Sequence, residues 1–305
     1  MLNFRPISLK DKEAVNSCLR ANTARVNERS FASMYIWGRR YGFETCVRAG
    51  VLYTHCFPVQ GHRIFLAPLG PGDTLAAYEE MHRDSLHLGQ PYRIYCLTAQ
   101  EAQALDERYP GKFDIVSDRD NFDYIYRQSD LALLEGKRYH GKRNHIQKFL
   151  STFEGRWRYR SVRPEQDFSA LLEFQKMWQK TKGDEHRSEY QHELYAIEQA
   201  LVHYDTLDLR GGVLEVDGRI AAYTLGVPLT SDTLDVLIEK ADAQIRGAYQ
   251  MINREFVRHE CAEFAYIDRE EDMGIEGLRS AKLSYVPAMF TEKFVATPKE
   301  PGRAL

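Results

Sequence analysis

Two alternating apolar segments, Val213 to Val216 and Arg219 to Val227, are separated only by Asp217-Gly218. That dipeptide favours the two positive-φ positions of a type I′ turn, so the segments are expected to fold back as an antiparallel hairpin. A third alternating run, Thr233 to Glu239, extends the hairpin into a meander. It is followed by a loop ending in Gly247 and a helical pattern from Ala248 to His259. Two amphipathic helices precede the hairpin: Phe168, Leu171, Leu172, Gln175 and Trp178 share one face, and Tyr190, Leu194, Ile197, Leu201 and Tyr204 share another. This order predicts a mixed, mostly antiparallel sheet flanked by helices, an α/β (α+β) class.

The first half carries an element set of its own. A strand at Phe4 to Ile7 leads, through a capping box of Ser8 and Asp11, into a helix bearing Ala14, Val15, Cys18 and Leu19. Beyond the aromatic stretch Phe31 to Tyr41, strands at 44–48, 51–57 and 63–67 are punctuated by Ala49-Gly50 and Gln60-Gly61. A helix at 74–88, a strand at 92–97, a helix at 99–109 and a strand at 121–126 complete the half. A basic helix over 130–150 and a strand at 156–163 open the second. Its closing elements are a strand at 263–267, a helix at 275–284, a strand at 289–295 and a loose tail over 298–305. At 305 residues the chain is long enough for two domains, expected at 1–128 and 129–305, with 130–150 as the linking helix. The halves share element order without a close sequence repeat.

Lys and Arg total 41 against 44 Asp and Glu, a formal charge of −3, so any polyanionic partner must be met by a local patch. The five dispersed cysteines lack Cys-x-x-Cys spacing and read as reduced core thiols, with no metal site expected. The N-terminus carries charges where a signal peptide is apolar, and no run approaches the length of a membrane span. A cytoplasmic protein without stable membrane insertion is the expectation.

Three regions could carry chemistry. Gly247, with Arg246 beside it, stands at a helix start, where unpaired N–H groups and the helix dipole suit a phosphate; an ordinary loop-to-helix cap would use the same glycine. Between Glu135 and Arg163 nine Lys/Arg face two acids. There Arg138, Lys142 and His145 fall on one helical face, with Arg143 and Asn144 adjoining, and could hold phosphates of a nucleotide, a transfer RNA or a lipid head group. The bland alternative is a solvated face with ion pairs. Tyr139, Trp157 and Tyr159 could stack on single-stranded RNA or simply pack. Finally, Glu270, Glu271 and Asp272 follow a strand end, where α/β sheets gather ligands, and could receive a substrate amine or cap a helix.

The segment Gln244-Ile245-Arg246-Gly247-Ala248-Tyr249 resembles the Gln/Arg-x-x-Gly-x-Gly/Ala pyrophosphate loop of GCN5-related N-acetyltransferases, with Tyr249 where that motif has Gly or Ala. A longer resemblance runs through Ser129-Asp130-Leu131, Gly136 to His145, Glu239 to Asp242, and Asp272 to Arg279 with Ala281-Lys282. These segments are similar to the family sharing the C-terminal domain of phosphatidylglycerol lysyltransferase, which is related to the Fem aminoacyltransferases. The resemblance implies two tandem acetyltransferase-like domains and donor binding at residues 244–249. The implied reaction moves an acyl or aminoacyl group from coenzyme A or aminoacyl-tRNA to an amine or hydroxyl of a small-molecule or peptide acceptor. Such transfer needs a base and an acid. Glu239, at the end of the central strand, could be the base, and Tyr285 stands near the place of the acetyltransferase tyrosine acid. Lys282 could neutralise a phosphate or developing charge. The alternatives are a soluble aminoacyltransferase of lipid head groups, and a noncatalytic RNA-binding or scaffold protein, which Tyr249 favours.

Overall fold

The computed structural model describes residues 1–59, 62–181, 187–300 and 305. The expected turn at Gln60-Gly61 and half of the expected tail, 301–304, lie outside them. In chain order the strands are β1 (Arg5–Pro6), β2 (Glu44–Arg48), β3 (Val51–Val59), β4 (His62–Leu66), β5 (Ile94–Leu97), β6 (Phe113–Ser117), β7 (Asp123–Arg127), β8 (Trp157–Ser161), β9 (Arg210–Val216), β10 (Arg219–Thr230), β11 (Thr233–Ala241), β12 (Tyr266–Asp268), β13 (Met289–Thr291) and β14 (Phe294–Pro298). The α-helices are α1 (Lys12–Leu19), α2 (Phe31–Ile36), α3 (Gly38–Tyr41), α4 (Thr74–Leu88), α5 (Ala99–Arg108), α6 (Gln128–Leu133), α7 (His140–Thr152), α8 (Pro164–Lys180), α9 (Arg187–Val202), α10 (Ala248–Glu260) and α11 (Glu276–Leu283).

The chain forms two compact units: Met1–Asp123 with Thr291–Leu305, and Tyr124–Phe290. The division expected at 128 and 129 differs from this in one respect of consequence, because the C-terminal strand returns to the first unit. The first sheet runs β1-β2-β3-β4-β5-β14-β6 and the second β13-β7-β12-β11-β10-β9-β8. Each contains a four-strand antiparallel stretch followed by one parallel pair, β4 with β5 or β11 with β12. In the first unit the strand beside β5 comes from the chain's end; in the second the strand beside β12, β7, comes from before the meander. Both sheets are therefore completed by a strand from outside the local sequence run, a feature that local patterning does not reveal.

In the second unit Asp217 and Gly218 both have positive φ, 52° and 75°, as the type I′ turn requires. The α10 face bearing Met251, Ile252, Phe256 and Val257 packs into a core with Leu214, Ala222 and Leu234 of the sheet and Ile146 and Phe149 of α7. In the first unit Phe65, Met81, Ile94, Leu105 and Ala296 share a core, so β14 is packed as well as hydrogen-bonded.

Two expectations are corrected, and three elements are added. The basic helix over 130–150 is two helices, α6 and α7: Leu134 is left-handed at φ 52° and Gly136 has φ 85°. Arg143 then turns back and donates to the carbonyls of Leu134 and Gly136, satisfying groups the break exposes. The closing strand at 289–295 is divided into β13 and β14 because Lys293 turns inward to Glu28, Asn27 and Asp123. The aromatic stretch forms α2 and α3, with Ser30 capping the first through a bond from Ser33 N, and β6 is a further strand.

Candidate active site

Strand alternation sends Glu239 and Lys240, at the end of β11, to opposite faces of the second sheet. Lys240 pairs with Glu193 of α9 at 2.7 Å and lies over the Trp178 ring. Glu239 meets residues from other elements: Arg269 Nη2, just past β12, donates to Oε1 at 2.8 Å, and Asn253 Nδ2, from α10, donates to Oε2 at 3.1 Å. The Tyr285 ring, buried after α11, completes the group. Lys142 Nζ stands 3.9 Å from its centroid and the Arg269 guanidinium 4.8 Å. Lys142 also donates to Ser284 Oγ at 2.6 Å.

Burial raises the Tyr285 hydroxyl well above its ordinary range, against the Arg269 cation, so it keeps its proton at neutral pH. Burial also lowers Lys142, and the Arg269 cation lowers it further, to about 8; Glu239 pulls the other way. The group thus combines a fixed carboxylate, a protonated phenol and an ammonium that can lose its proton in an accessible pH range.

Of the residues expected to form a site, Glu239, Tyr285 and Lys142 come together. Lys282 is engaged elsewhere. Its ammonium donates to the main-chain carbonyls of Arg269 at 2.6 Å, Glu270 at 3.0 Å and Glu271. All three ammonium protons are committed, so Lys282 shapes the turn that presents Arg269 instead of meeting a phosphate. Lys282→Met should leave these carbonyls unsatisfied and cost about 2 kcal/mol. Amide exchange at 269–272 should quicken at least tenfold by mass spectrometry; unchanged protection would remove the clamp assignment.

Asp272 is likewise committed. Arg279 grips it through Nε at 2.9 Å and Nη2 at 2.7 Å, the Tyr124 hydroxyl donates to it, and Gly274 N donates at 2.9 Å. Although burial alone would raise it, these donors hold its carboxyl far below the usual range. It secures the loop into α11 and is not available to a substrate amine. Glu270 and Glu271 remain partly exposed beside it. Arg138 pairs with Asp130 at 2.9 Å, Arg143 closes the α6–α7 break, and Asn144 Nδ2 lies 3.1 Å from His140 Nε2.

The turn at 244–249 packs against α7. Gly247 has φ 90°, and a Cβ on it would lie 2.5 Å from the His145 carbonyl oxygen and 2.9 Å from Phe149 Cβ. The space left by the missing side chain is filled by α7. Ala248 is buried, the Ile245 carbonyl accepts from its N–H, Gln244 N bonds to Asp242, and Tyr249 OH accepts from Trp178 Nε1 at 3.2 Å. Gln244 and Arg246 are exposed. Arg269 and Asn253 were not singled out from sequence. Asn253 interrupts the apolar face of α10, which was a readable signal; Arg269 lay hidden in an acidic run.

Among the described residues no group of three or more His, Cys, Asp or Glu is placed to hold a metal ion, and no helix is long and apolar enough to cross a membrane. Residues 20–297 match the family model described as phosphatidylglycerol lysyltransferase, C-terminal. The chain belongs to this family. A conserved protein of unknown function from Bacteroides thetaiotaomicron is 33% identical, with TM-score 0.91, over 98% of this chain and 100% of that one. L-PGS from Bacillus licheniformis aligns at TM-score 0.67 and 14% identity, over 95% and 92%. A tandem GNAT protein from the clavulanic acid biosynthesis pathway aligns at 0.52 and 12%, over 99% and 100%. The last two likenesses show the fold alone, two mixed sheets flanked by helices, as in a tandem GNAT protein. An uncharacterised protein of Mycoplasmoides gallisepticum is 25% identical over 190 residues, 61% of this chain, and the match spans only 59% of that relative. Family and fold together indicate a transferase-type domain.

Proposed function

We propose that the chain is an aminoacyltransferase-type enzyme whose reaction centre is the Glu239–Arg269–Tyr285–Lys142 group. The observation that carries this reading is Tyr285, a phenol kept protonated by burial and set between two cations beside a fixed carboxylate. In this reading Glu239 receives the N–H or O–H of the acceptor, because a carboxylate holding two hydrogen bonds still has lone pairs to offer. Tyr285 gives its proton to the leaving oxygen or sulfur, and the positive charge of Lys142 and Arg269 favours the oxyanion formed at the attacked carbonyl. An aminoacyl donor is preferred to a coenzyme A thioester because α7 covers the glycine of the turn at 244–249.

The test presents the full chain with charged transfer RNA and, separately, with acetyl-coenzyme A, together with amine and hydroxyl acceptors, and follows transfer by mass spectrometry. Transfer from the aminoacyl donor is expected, falling about a hundredfold in Glu239→Gln and in Tyr285→Phe. Turnover from neither donor removes the proposal. The covered Gly247 and the Trp178–Tyr249 bond also suit a noncatalytic RNA-binding protein. Salt-dependent RNA affinity indifferent to both substitutions, without turnover, would favour that second reading.

A further inference from the structure

Two cations and one carboxylate meet at the Tyr285 ring. Both Glu239 oxygens are engaged, one by Arg269 and one by Asn253. Among the described residues, the direct neighbours of Lys142 are uncharged, the Ser284 hydroxyl and the Tyr285 face. The charged groups on the surrounding elements do not balance it. Just before α7, Arg138 is paired with Asp130, and on α7 His145 adds no negative charge. On α11, Lys282 is spent on main-chain carbonyls, while Arg269 approaches from the end of β12 with a positive charge of its own. The carboxylate acting on Lys142 is Glu239, which Arg269 already neutralises. A half-buried ammonium that faces a second cation and lacks a counter-ion is costly, and a bound anion would relieve that cost.

We propose that Lys142, backed by Arg269 and the Tyr285 ring, is the binding point for an anionic oxygen group, a carboxylate or a phosphate, on the ligand of the Glu239 site. The proposal deepens the transferase reading and rests on it only in taking that group to belong to a donor or an acceptor. Aromatic packing beside the ammonium orients it, and the guanidinium over the same ring adds attraction.

Calorimetric titration of the full chain at pH 7 with inorganic phosphate, and separately with acetate, tests the site. Saturable binding of at least one anion is expected, weakened at least tenfold by Lys142→Met and retained by Lys142→Arg. The favoured anion should also shield Lys142 from an amine-acylating reagent in the unmodified chain, read by mass spectrometry. Affinity should fall as the pH passes about 8, where Lys142 gives up its proton. Stronger binding of phosphate assigns the group as a phosphate, and stronger binding of acetate assigns it as a carboxylate. Saturation by neither anion, or equal affinity in Lys142→Met, overturns the proposal. Transfer activity without anion binding defeats this inference alone, whereas anion binding without transfer defeats the transferase reading alone.

Discussion

Gly247→Val is expected to lose about 3–5 kcal/mol of stability, combining backbone strain with overpacking, before donor binding can be asked about. At φ 90° a β-branched residue is held in a region that L side chains rarely adopt. Its Cβ would also stand 2.5 Å from the His145 carbonyl oxygen and 2.9 Å from Phe149 Cβ. The first neighbour is helix backbone and the second belongs to a buried ring in the core, so neither can swing aside. Relief requires α7 to move off α10, which would open the core formed by Ile146, Phe149, Met251 and Ile252. Urea denaturation should show a lowered midpoint, with the loss concentrated in Tyr124–Phe290. A valine variant with the wild-type midpoint would refute this account of the glycine.

What could be read from the sequence depended on the distance over which each feature is determined. Asp217-Gly218 encodes its own turn, since the two residues that need positive φ are the two that tolerate it best. Ser8 and Asp11, and the amphipathic faces of α8 and α9, are equally local. The break between α6 and α7 was half legible: Gly136 was a signal, whereas a leucine in the left-handed region at 134 is one that propensity argues against. Glu239 and Tyr285 could be placed because each stands at the end of an element with a recognisable order around it. Arg269 and Asn253 reach Glu239 only through sheet order and helix packing, which set residues 30 and 14 positions away against one carboxylate. Lys282 and Asp272 show the opposite failure. Their residue types suggested chemistry, but their partners are the neighbouring backbone and Arg279, and those bonds fix a loop.

The same limit hid Lys293, whose replacement should be the other costly change. In the first unit its side chain is 1% exposed, and its ammonium lies 2.7 Å from Glu28 Oε2 and 2.8 Å from both Asp123 Oδ1 and Asn27 Oδ1. Lys293→Met keeps much of the apolar stem but leaves two carboxylates facing the vacated position, a change that costs about 3–5 kcal/mol when a buried pair is broken on one side. The pH dependence separates this cause from a simple packing defect. Burial would raise the Glu28 pKa, but Lys293 brings it below the ordinary value. A carboxylate so depressed contributes stability that is present above its unfolded pKa and lost as the pH falls through its folded one. In Lys293→Met the cation is gone and burial is opposed only by the hydrogen bonds from Cys96 and the Glu28 backbone, so Glu28 protonates at higher pH than in the wild type and the protein sheds part of the penalty on acidification. The difference in unfolding free energy between wild type and variant should therefore be largest near neutrality and shrink as the pH falls below the usual glutamate range. A difference that stays constant across that range would mean that Lys293 holds β14 in its sheet through packing, with no contribution from its charge.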